Sequence, residues 1–287
     1  MFCSRSMCFA AGVVLALALP CSLVGQKTED DLRARLIQQP LYLRGQWGSD
    51  KLAFDGAGHL VGTATQVTFT LSGVEIGSVK LTRKGLVLEG QRVGLEFNKD
   101  VSKRVGLVLR DLAGVSPEKV MLQIQKPADG DFTAALDTIF TGSIAGLDDP
   151  LPEYWQPFAQ KHLLPAAVPA ATGTVSAAGA DASRPPSPGL APMRRIGGGV
   201  TAPKVLTQAE PEFTASARSL KYSGTALLTF IVGKDGLPSE IRIVHPLGLG
   251  LDEHAVTTLS HYTFQPAMEG GAPVAVRLNI EINFQIF

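Results

Sequence analysis

From residue 274 to 286 every second position is apolar: Val274, Val276, Leu278, Ile280, Ile282, Phe284 and Ile286, with Ala275, Arg277, Asn279, Glu281, Asn283 and Gln285 in the gaps. A period of two sends these sets to opposite faces of a strand. A strand of about thirteen residues is longer than the usual five or six. It is expected to outrun its neighbour and leave backbone donors and acceptors free.

The segment before it alternates as well. Residues 225–232 set Ala226, Leu228, Phe230 and Val232 against Leu227, Thr229 and Ile231, a strand apolar on both faces. Lys234-Asp235-Gly236 predicts a turn, and 239–244 the returning strand. A helix is expected over 251–262, opened by Asp252 and Glu253, with Leu251, Ala255, Leu259 and Tyr262 on one face. A short helix over 213–222 comes first, so the order is αββαβ.

Nearer the start, Thr28-Glu29-Asp30-Asp31 followed by Leu32, Leu36 and Ile37 reads as a capped helix with an acidic first turn. From 41 to 97 the runs become short, β-branched and alternating. Residues 51–54 and 59–61 flank Asp55-Gly56-Ala57-Gly58 as a hairpin. Strands are also expected over 65–71, 74–81, 86–97, 105–110 and 120–125, with a turn at Lys84-Gly85. Together they predict a meandering antiparallel sheet or partly closed barrel of about six or seven strands. Helical spacing returns in Phe132, Leu136, Ile139 and Phe140, and in Tyr154, Trp155, Phe158 and Leu163. These flanking helices are expected to pack on the sheet, the aromatic group as core rather than as a ligand platform.

Composition adds the frame. A chain of 287 residues that is 45% hydrophobic can support two modest cores. Its 26 basic and 26 acidic residues cancel, which leaves no net field for nucleic acid. Residues 164–199 shift to Ala, Pro, Gly, Ser and Thr and read as a linker between a β-rich domain over 27–163 and a C-terminal domain over 200–287. Residues 1–25 are different again: Arg5, an apolar run from Met7 to Leu19, then Pro20. That is the pattern of a secretory signal peptide, or of an uncleaved inner-membrane anchor, and either implies export. Cys3, Cys8 and Cys21 all lie inside it, so a cleaved chain carries no thiol for a disulfide or a metal. Pro20 makes Cys21 a poor lipidation site.

The C-terminal residues resemble a known family. Glu210-Pro211-Glu212-Phe213 precede Ala217-Arg218; Ser223-Gly224 open a strand, and Asp235-Gly236 make a turn. Leu251-Asp252 with Ala255, Phe264-Gln265-Pro266-Ala267, Gly271-Ala272-Pro273-Val274 and a strand closing on Phe284 follow in order. From about residue 203 to 287 this resembles the C-terminal domain of TonB-type energy transducers. The resemblance implies an α+β fold and no enzymatic activity. It also implies a last strand that pairs with a short extended peptide, the TonB box of an outer-membrane TonB-dependent receptor. Arg277, Asn279, Glu281, Asn283 and Gln285 would flank that edge. The family's anchor presents a Ser and a His to an inner-membrane motor complex; the apolar run here has neither. No family is recognised for 27–163.

No catalytic pattern competes. His254 and His261 are seven apart rather than the three or four that suit zinc on a helix. Asp148-Asp149, and Asp129 with Asp131, read as loop caps. Gly197-Gly198-Gly199 follows no strand and lacks the lysine of a phosphate cradle. No catalytic residues, cofactor or metal are therefore expected. The expectation is an exported, periplasmic partner-binding protein. Two alternatives stay open: an assembly protein forming a homodimer through the same edge, and a lipid or small-ligand carrier with a deep cavity in the β-rich part.

Overall fold

A computed structural model describes residues 28–98, 101–164 and 193–286. The expected leader, its cysteines and most of the expected linker lie outside the described residues.

Helix α1 (Glu29–Leu36) opens as its sequence dictates. The Thr28 backbone N–H donates to Asp31 Oδ2 at 2.9 Å and the Asp31 N–H returns to Thr28 Oγ1 at 3.3 Å. Leu32 and Leu36 then turn inward. The strands that follow are β1 (Leu41–Leu43), β2 (Lys51–Phe54), β3 (Gly73–Leu81), β4 (Gly85–Asn98) and β5 (Val101–Gly106). After them come β6 (Val108–Asp111), β7 (Gly114–Pro117), β8 (Lys119–Gln125), helix α2 (Thr133–Ile139), β9 (Phe140–Thr141) and helix α3 (Gln156–His162). Seven of the strands form one sheet in the order β2-β8-β4-β3-β1-β9, with β5 also on β4, beyond the end of β8.

The expected meander is corrected in four places. Strand β2 pairs in parallel with β8, where alternating Leu52 and Phe54 match Leu122 and Ile124. The segment 59–61 supplies only the Phe54–Leu60 bridge, because Asp55 Oδ1 accepts from the backbones of Ala57 and His59 and closes a tight turn. Residues 65–71 form no strand: Phe69–Leu71 is a 3-10 turn, and Thr70 spends its hydroxyl on the Gly250 N–H at 3.0 Å. The run 105–110 is interrupted at buried Leu107, and β6 folds onto β7 as a separate hairpin.

The C-terminal module contains β10 (Lys204–Thr207), α4 (Ala215–Leu220), β11 (Gly224–Val232), β12 (Pro238–His245), α5 (Leu251–Ser260) and β13 (Thr263–Gln265). It ends with β14 (Ala267–Glu269), β15 (Ala272–Val274) and β16 (Val276–Phe284). Its main sheet is antiparallel, in the order β12-β11-β16. The last strand is shorter than its alternation suggests. Gly270 and Gly271, at φ 57° and 84°, turn β15 back onto β14, and pairing restarts only at Val276. From Val276 to Phe284 every residue is matched by β11, from Val232 to Gly224, so β16 does not outrun its neighbour.

One cluster of buried side chains runs through both parts of the chain. Phe69, Leu95, Phe97, Trp155 and Phe158 join Leu228, Phe230, Leu247, Leu249 and Phe284. Trp155 stands edge-on to Phe69 at 4.9 Å, so the aromatic group is core. A second cluster, from Leu32 to Phe140, fills the space between the sheet and helices α1 and α2.

Candidate functional site

Strand β16 forms one rim of the C-terminal sheet, and its two faces differ as a period of two requires. Val276, Ile282 and Phe284 are buried toward the core, and Leu278 and Ile280 are half-buried on the same side. Arg277, Asn279, Glu281 and Asn283 are exposed on the other, and Gln285 is exposed just beyond the strand. Arg277 Nη2 reaches across β11 to Glu240 Oε2 at 3.1 Å, and Asn283 Oδ1 accepts from Thr225 Oγ1 at 3.4 Å. All five residues singled out in the sequence thus sit along one line.

The backbone decides what this line can do. Leu278 O is turned toward β11, where it also accepts from Thr229 Oγ1 at 3.1 Å. Ala275 O points the opposite way and accepts from the Arg194 N–H at 3.0 Å. Alternation then carries the amides and carbonyls of Arg277, Asn279, Glu281, Asn283 and Gln285 to the outer edge. Beside its far end runs the segment 208–213, fixed by Tyr262 OH donating to Ala209 O at 3.2 Å and by Phe213 edge-on to Phe284 at 5.5 Å. Between segment and strand lies a groove of about 380 Å³, bordered by Pro211, Phe213, Tyr262, Ile282 and Asn283.

The titratable candidates do not converge. His254 Nδ1 donates to Glu212 O at 2.7 Å, holding helix α5 against the segment before α4, and His261 Nδ1 donates to Thr257 O at 2.9 Å, one turn back in α5. Asp129 and Asp131 accept backbone N–H groups two residues on, from Asp131 and Thr133. Gly197, Gly198 and Gly199 form a turn at positive φ. Among the described residues no group of three His, Cys, Asp or Glu is placed to hold a metal.

Two carboxyls lie where the sequence places solvated helix-opening acids. Asp252 is fully buried; Oδ1 accepts from the Leu247 N–H at 2.9 Å and Oδ2 from the Gly248 N–H at 2.6 Å. That fixes a loop whose backbone pairs antiparallel with β4: the Phe97 N–H donates to Leu247 O at 2.9 Å and the Leu249 N–H to Leu95 O at 2.8 Å. Glu253 Oε1 accepts from the Trp155 indole at 2.9 Å, across the same junction. Desolvation pushes both carboxyls up, Asp252 strongly. Burial, with these acids alongside, also lifts Tyr154 to about 12. No sequence signal marks the pair, because acids in a first helical turn are ordinarily explained by the helix dipole.

Fold and rim together define a small α+β module with an open edge strand. The family model described as Gram-negative bacterial TonB protein C-terminal matches residues 209–286, and this part of the chain is a TonB C-terminal domain. A solution NMR structure of the Pseudomonas aeruginosa TonB C-terminal domain is similar at 21% identity, over 29% of this chain and 86% of that one, with a TM-score of 0.25. No curated protein matches the chain.

Proposed function

We propose that the chain is an exported periplasmic protein that binds an extended segment of an outer-membrane TonB-dependent receptor by adding it as a strand to the outer edge of β16. One observation carries the reading: the inner edge of β16 is fully paired with β11, while its outer edge presents backbone groups beside a groove that can seat a side chain. Strand addition draws affinity from main-chain hydrogen bonds and specificity from alternate side chains, so it needs no catalytic group. The module is accordingly read as non-enzymatic, passing force or position from the rest of the chain to the receptor. Export rests on the apolar leader; among the described residues no helix is long and apolar enough to cross a membrane.

The geometry selects the test. Glu281→Pro removes an amide aimed outward, a place where an edge strand tolerates proline. Ile280→Pro removes one aimed at β11 and damages the sheet itself. In a calorimetric titration with TonB-box peptides, Glu281→Pro is expected to lose at least tenfold in affinity while its circular dichroism stays that of the parent. Unchanged binding by this variant would rule out strand addition at β16. A doubled mass of the unliganded chain, abolished by the same substitution, would instead assign the edge to a second copy.

A further inference from the structure

The outer edge of β16 is not open along its whole length. Arg194 forms a parallel bridge opposite Val276, its N–H donating to Ala275 O at 3.0 Å. Its guanidinium Nε meets Glu269 Oε2 at 2.9 Å. The chain then reverses through Gly197, Gly198 and Gly199, at φ 104°, 63° and 100°, and Val200 bridges to Glu269. The Thr201 N–H donates to Met268 O at 2.9 Å, and Thr201 Oγ1 accepts from the Met268 N–H at 3.0 Å. These contacts fasten the end of the expected linker to β14 and to the first rung of β16.

We infer that residues 193–196 are a built-in stop that fixes where an added strand begins. In a parallel bridge at Val276 the Ala275 carbonyl takes the Arg194 N–H, and the outward amide of Arg277 faces the Arg194 carbonyl. What remains for a partner is the backbone of Asn279, Glu281, Asn283 and Gln285, enough for an extended segment of about seven residues. The partner's alternate side chains would then lie over half-buried Leu278 and Ile280, with one entering the groove beside Phe213. A longer peptide gains nothing at Arg277, because the stop belongs to the same chain and competes at a high effective concentration. This inference rests on the strand-addition reading and specifies the length and register of its ligand.

Amide hydrogen exchange on the full chain tests the stop without a ligand. The Arg277 amide should exchange at least tenfold more slowly than those of Asn279, Glu281 and Asn283. Arg194→Pro, which removes the donor on an exposed segment, should abolish the difference; Arg194→Ala, which keeps the N–H and loses only the ion pair, should retain most of it. TonB-box peptides of seven and nine residues should bind the parent within twofold of each other. The nine-residue peptide should bind Arg194→Pro at least threefold more tightly than the shorter one. Glycine replacement of residues 194–196 should repeat that gain. Fast exchange at Arg277 in the parent, or the same length dependence in parent and variants, overturns the inference alone. Absence of binding by either peptide to every protein overturns the strand-addition reading, and the stop's role falls with it.

Discussion

Asp252 and Glu253 stand side by side where the C-terminal module meets β4, and their positions tie stability to pH. Both carboxyls are raised by burial, so the folded chain holds their protons more tightly than the unfolded chain. The contribution of these groups is therefore fully present below their ordinary values near ~4 and is lost as pH rises through the raised ones. Glu253→Gln keeps an acceptor for the Trp155 indole and removes the titration. Its unfolding free energy should improve relative to the parent as pH rises above the ordinary carboxylate range. A difference independent of pH in paired denaturant titrations would show that Glu253 is not the source. Asp252→Asn sets an amide group against two backbone donors and should cost about 1–3 kcal/mol by the same measurement. The polar line from Arg277 to Gln285 was legible because alternation alone assigns a face. The buried acids were not, because their burial comes from Trp155 and Leu247, which packing rather than spacing brings close.

At the level of elements, the loop after β12 acts as a short strand. Residues 247–249 continue the sheet of the β-rich part past the end of β3, and Gly248 makes this possible. Its φ is 84°, and a Cβ there would lie 2.0 Å from Leu95 O. Gly248→Ala should destabilise the chain by about 1–3 kcal/mol and expose Trp155, seen as a red shift in tryptophan emission. Emission unchanged by a folded variant would mean that this contact does not hold the junction. The element errors share a cause with this loop. Residues 65–71 have a strand's composition, yet Thr70 serves Gly250, and the run 274–286 is one pattern broken by a glycine turn just before it. Local periodicity predicts faces well and cannot register where a partner from elsewhere in the chain intervenes. It also could not reveal that β2 pairs in parallel with a strand over sixty residues away.

Taken as a whole, the described chain shares one apolar cluster between its β-rich part and its TonB C-terminal domain. Mixed αβ order and the αββαβ pattern of the last third were readable in the sequence, since each element carries its own period. Docking was not, because it depends on Phe97, Trp155 and Phe158 meeting Leu247 and Leu249, residues that read locally as ordinary core. The shared cluster predicts that tryptophan emission and far-ultraviolet circular dichroism will report one coincident unfolding transition. Two separated transitions would show that the parts unfold independently. Residues 200–287 alone, with Leu247 and Leu249 uncovered, should melt well below the full chain.

The Arg194 clip also has a mechanical meaning. Tension drawn along β16 is shared by nine residue pairs with β11, which resist together in shear. Tension arriving through the preceding segment falls first on one backbone rung and one surface ion pair. Under such a load the attachment would act as a fuse: it would let go while the sheet still holds, clearing the rim with the module folded.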